Sequence, residues 1–124
     1  MGSLKGMAIE GLCHLLVEEL PAPLLVHDEQ DFVYANQAAR VLLRARSAEE
    51  IVGKPVLDFI DPGTHDAARE RMRLVHENGV HFPQVDNRVI ACDGTALHAT
   101  TRGFPLDFGT TRLVGVLVTD WFEI

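Results

Sequence analysis

Cysteine is scarce in this chain. Its two cysteines, Cys13 and Cys92, lie far apart without the close spacing of a metal site. They read as reduced thiols of a cytoplasmic protein rather than as a disulfide framework. Clusters of basic residues are missing too, and with a net charge of −7 the segment is not expected to grip nucleic acid directly. No apolar run reaches the ~18 residues of a membrane span. The amino-terminal M-G-S-L-K-G-M lacks the apolar core of a signal peptide. Internal repeats and low-complexity segments are absent as well.

What is present is a 124-residue chain, 47% hydrophobic and 23% charged, enough for one domain around a single core. Its organising stretch comes last, R-L-V-G-V-L-V-T-D-W-F from Arg112 to Phe122. Strict alternation puts Leu113, Leu117 and Trp121 on one face and Val114, Val116, Val118 and Phe122 on the other. Two apolar faces predict a strand in the middle of a sheet. A helix would have to absorb Gly115, four β-branched residues and two aromatics.

The earlier chain should supply the flanking strands and a helical cover. Met7 to Leu20 reads as an amphipathic helix, with Ile9, Leu12, Cys13, Leu16 and Leu20 on one stripe. That stripe either covers the domain or pairs with a second copy, and Ile9, Leu12 and Leu16 are the expected dimer contacts. Pro21 and Pro23 end the helix. Leu24 to His27 and Phe32 to Ala35 form a hairpin around a polar turn, and Asn36 caps a helix from Gln37 to Arg44. Ser47 and Glu50 make a capping box for a short turn stopped by Gly53, and Pro55 opens another turn through Ile60. Thr64 is placed to cap the helix His65 to Asn78, closed by Gly79. Strands follow at Gln84 to Cys92 and Ala96 to Phe104, joined by Asp93-Gly94, and Asp107 to Thr111 turns the chain into the last strand. The result is an α+β domain over residues 21–124, with helices on one face of its sheet and residues 1–20 as a flanking helix.

Six pieces, in order, carry a resemblance: L-P-A-P-L-L-V-H-D from Leu20, Y-A-N-Q-A-A from Tyr34, S-A-E-E-I-V-G-K from Ser47, F-I-D-P from Phe59, C-D-G-T from Cys92 and G-V-L-V-T-D from Gly115. Together they resemble the PAS domain, a bacterial-type sensory module, from about Leu20 to Glu123. The resemblance implies a five-stranded antiparallel sheet in spatial order 2-1-5-4-3, with the last strand central. It also implies a sensor of small molecules or proteins, not itself an enzyme, within a longer cytoplasmic regulator that carries an effector such as a kinase or transcription regulator, and a homodimer is expected. Two departures stand out: Asp28 to Asp31 replace a turn glycine, and the common D-I-T ending reads Asp120-Trp121-Phe122.

The expected ligand pocket takes His65, Ala68 and Met72 from the long helix, with Tyr34, Leu43, Ile60, Ala99, Thr101, Val116 and Val118 from the strands and short helices. A plain packed core is the competing reading. Haem is the alternative cofactor, because haem-binding relatives ligate iron through a histidine on this helix and His65 lies on its stripe. Those relatives also carry an arginine on the next strand, where Val85 stands here. Flavin photochemistry is not expected, since V-L-D-F-I-D-P lacks the necessary cysteine. His14, His27, His76, His81 and His98 show no metal-type spacing. A small α+β enzyme would need an internal acid–base pair, for which Asp120 with His98 is the candidate.

Overall fold

The last strand, β5 (Thr111–Glu123), runs through the middle of the molecule with a neighbour on each side. The computed structural model describes the backbone of residues 2–124 and the side chains of residues 11–124. Its elements are α1 (Gly2–Glu19), β1 (Leu24–His27), β2 (Phe32–Ala35), α2 (Gln37–Leu42), α3 (His65–Asn78), β3 (Phe82–Ile90), β4 (Ala96–Phe108) and β5. Three 3₁₀ turns, Ala48–Glu50, Val56–Phe59 and Pro62–Thr64, fill the gap before α3. All strand pairs are antiparallel and the spatial order is β2-β1-β5-β4-β3, as the resemblance implied.

Local chemistry accounts for most boundaries. The Asp28 carboxylate accepts from the amides of Gln30 and Asp31 at 2.9 and 2.8 Å, so an aspartate builds this turn without a glycine. Those amides, Asp31 first, hold its carboxyl below the usual range. Asn36 caps α2 by accepting from the Ala39 amide at 3.0 Å. The helix ends at Leu42, short of Arg44, because Arg44 turns left-handed at φ 55°. Its guanidinium then pairs with Asp93 and Glu123, each at 3.3 Å.

Two expected caps are replaced. The Ser47 side chain makes no capping bond, and the Glu50 carboxylate instead accepts from the Arg46 amide at 2.6 Å. The Thr64 hydroxyl donates back to the Asp61 carbonyl at 3.0 Å, so it serves the preceding turn rather than α3. Gly79 does close α3, at φ 66°.

Strand β3 lies two residues earlier than its sequence pattern indicates, at Phe82–Ile90, and β4 runs on past Phe104 to Phe108. The β4–β5 register runs from Phe108↔Thr111 to Leu97↔Glu123. Gly115 sits opposite Phe104, and a Cβ there would come within 2.4 Å of the Phe104 ring, so the glycine leaves room for the aromatic to lie across the strand.

One expectation about β5 is corrected. Thr101 pairs with Val118 but Thr100 pairs with Asp120, so Thr119 is an extra residue and the alternation changes phase there. Trp121 therefore shares the face of Ala99, not that of Leu117, and Phe122 stands on the outer face, stacked on His98 with ring centroids 4.7 Å apart. Trp121 lies past the helical cover and stays 43% exposed.

Candidate functional site

The buried core forms where β1, β5 and β4 meet α2, the short turns and α3, and it includes Leu25, Phe32, Leu43, Phe59, Ala99 and Val118. Packing there is incomplete. An apolar cavity of about 120 Å³ remains between the helical layer and the sheet.

Of the ten residues expected in a pocket, eight line this cavity: Leu43, Ile60, Ala68, Met72, Ala99, Thr101, Val116 and Val118. Two do not. Tyr34 pairs with Val26, while its neighbour Ala35 pairs with the buried Leu25, so strand alternation turns Tyr34 to the other face. There its hydroxyl donates to Glu18 on α1 at 2.7 Å. Burial, reinforced by that carboxylate, pushes its pKa up to about 12. His65 lies in the first turn of α3 and folds back, its Nε2 2.8 Å from the Ile60 carbonyl.

Sequence reasoning missed several lining residues, among them Leu25, His27, Phe32, Arg71, Asn87 and Val114. His27 is fully buried, and its Nδ1 donates to the Asp28 carbonyl at 2.6 Å. Desolvation lowers its pKa, so the ring is held neutral. Among the described residues, Arg71 is the one charged group in the wall. Its Nη2 donates to Asn87 Oδ1 at 2.9 Å, and Asn87 Nδ2 donates to the Thr101 hydroxyl at 3.2 Å. A signal for Arg71 was present, because it follows Ala68 by three residues and precedes Val75 by four, at helix-face spacing. Strand alternation carried a like signal for Asn87, between Val85 and Val89, and for His27, two residues after Leu25.

Haem does not fit these residues. The Nε2 of His65 is engaged with a carbonyl, and His65 is outside the cavity wall. A space of about 120 Å³ also falls well below the ~300–1,000 Å³ pockets of drug-sized ligands. The internal acid–base pair is likewise not formed. His98 lies 3.3 Å from Asp86 on the outer face, and the exposed Asp120 carboxylate accepts from the Trp121 amide at 3.0 Å. Cys92 is half-buried, and burial first of all raises its thiol pKa, whereas Cys13 is exposed. No group of three or more metal-ligating side chains occurs among the described residues. No described helix is long and apolar enough to cross a membrane.

The face that α1 turns to the domain is polar. Glu18 pairs with Arg40 and accepts from Tyr34, and the His14 ring lies 6.1 Å from that of Tyr34. Arg40 and then Tyr34 hold the Glu18 carboxyl below its usual value. Leu12 and Leu16 point away and are 55% and 58% exposed, as is Leu15 to a similar degree. Ile9 lies outside the residues whose side chains are described.

Comparison with known proteins agrees with this architecture. Sporulation kinase A of Bacillus subtilis (strain 168) is 29% identical over 105 residues, which are 85% of this chain but 17% of the kinase. A PAS domain from a two-component sensor histidine kinase superposes with a TM-score of 0.73 at 17% identity, over 96% of this chain and 99% of that one. A PAS domain from Colwellia psychrerythraea gives 0.75 at 16% identity, over 94% and 97%. The family model for the PAS fold matches residues 12–119, and a central last strand, α2 and α3 over the cavity face and this sheet order accompany the match; the chain belongs to the PAS family.

Proposed function

We propose that this domain is the sensing part of a longer signalling protein, that it holds a small molecule in the cavity, and that it works as a homodimer through α1. The observation that carries the reading is the cavity itself. It is apolar, lies between two layers and has a few polar groups in its wall, the usual form of a small-ligand site. A sensor-kinase effector is supported by the relationship to sporulation kinase A, whose length this chain spans only in part.

The route from ligand to output runs through the sheet. Val116 and Val118 on β5 line the cavity floor, and β5 is bonded directly to β1. Asn36 ties β1 to both neighbouring helices: its Oδ1 accepts from the amides of Leu24 and Ala39, and its Nδ2 donates to the carbonyls of Val17 and Ala22. A ligand that favours one arrangement of the floor biases the seating of α1, and with it the pairing of two protomers.

The test is thermal melting with a panel of small organic compounds. A ligand of the folded state raises Tm progressively with its concentration. Ala68→Phe, which fills the cavity from the helix side, is expected to lose that response while remaining folded. A flat Tm across the panel at millimolar concentrations would sink the ligand reading and leave protein contacts as the input.

A further inference from the structure

We infer that the cavity takes a small monocarboxylate, its anionic head held by Arg71 and its hydrocarbon body resting on β5. The inference rests on the sensory reading above and names the class of ligand.

Arg71 is distinctive within its own helix. Arg69 pairs with Asp66 at 3.0 Å, and Arg73 with Glu70 and Glu77 at 2.6 and 3.0 Å. Arg71 points the other way, into the wall formed by Ala68, Met72 and Val75. Among the described residues no carboxylate lies within ion-pair distance of it, and its one side-chain partner is the neutral Asn87. A guanidinium has five N–H donors and keeps its charge in proteins. Partly desolvated and without a counter-ion, it is a strong recruiter of one.

Its neighbours are arranged for that task. The amide of Asn87 is oriented by donation to Thr101, whose hydroxyl in turn lies 3.5 Å from the Val85 carbonyl. Asn87 therefore presents its oxygen to Arg71 and takes one donor, leaving the rest of the fork available for a bidentate carboxylate. One guanidinium balances one negative charge, whereas a dianion such as phosphate would bring uncompensated charge against apolar walls. The size also sets a limit. A cavity of about 120 Å³ is close to the ~150 Å³ that accommodates benzene, which corresponds to a ring or a short aliphatic chain.

The experiment titrates the full chain with sodium hexanoate and with hexanol, using calorimetry and amide proton–nitrogen NMR. Hexanoate is expected to bind about tenfold or more tightly than hexanol and to shift the signals of Asn87, Thr101 and Val116. Arg71→Gln should abolish the preference, bringing hexanoate down to no better than hexanol. Asn87→Asp should do the same by supplying an internal carboxylate, with Arg71 still in place, so the outcome does not depend on one variant folding. Equal affinities in the parent protein, hexanol binding alone, or a preference kept by the folded variants would overturn the carboxylate assignment and leave the ligand cavity standing. Binding of neither probe would overturn the assignment together with the ligand reading.

Discussion

The side-chain amide of Asn36 donates to the main-chain carbonyl of Val17 at 3.0 Å, joining a fully buried residue of the core to the last turn of α1. The same side chain makes three further bonds, so no part of the amide is idle. Asn36→Ala strips all four at once and leaves buried backbone groups unpaired. The expected loss is about 3 kcal/mol in urea unfolding, with faster hydrogen exchange at the end of α1. A loss under ~1 kcal/mol would show that α1 is held by something else.

Leu12 and Leu16 stand uncovered on the side of α1 away from its own domain. Replacing both with glutamate is expected to convert a dimer to monomers by light scattering while the fold, followed by circular dichroism, is unchanged. Surface sites of this kind leave the monomer within about ±0.5 kcal/mol. An unaltered mass would count against α1 as the dimer contact.

His27 links stability to pH. Burial lowers its pKa in the folded protein, so as pH falls below the ordinary value near 6.5 the unfolded chain takes up a proton that the folded one resists. The stability contribution is complete above that value and drains away as pH falls toward the depressed folded pKa. Unfolding free energies measured from pH 7.5 down to 5 should decline, and His27→Leu should make the decline shallower. An identical pH dependence in parent and variant would refute the assignment.

Tyr34 is the sole tyrosine in the chain, so ultraviolet titration reports on it alone. Ionisation is expected near pH 12 in the folded protein, with burial the larger cause and the Glu18 bond the second. Glu18→Gln should bring the midpoint down. A midpoint at the ordinary tyrosine value while the protein is still folded would mean that α1 does not sit against β2 as described.

Much of the fold was legible because strand alternation and turn chemistry are local signals. The two apolar faces of Val114 to Val118 announced a central strand, and Asp93-Gly94 and Gly79 marked their turns. Where the reading failed, a distant partner had decided the matter. Nothing in Thr119-Asp120 reveals that Thr119 is passed over by β4, so Trp121 was placed on the wrong face. Tyr34 was misplaced for want of its register against β1, and His65 because its carbonyl partner competes with the cavity. Arg71 was hidden by its charge, which pattern reading sends to solvent even when helical spacing sends it inward.

The kink at Thr119 absorbs a surplus residue and hands the strand on in register. Removing that one threonine would turn the two-against-one step into plain alternation and leave Asp120 opposite Thr100, Trp121 opposite Ala99, Phe122 opposite His98 and Glu123 beside Arg44. Polypeptide extending past Ile124 in a longer protein would leave on the same side with or without Thr119, so a deletion here relaxes the local twist of the strand and spares both the junction and the ligand chamber.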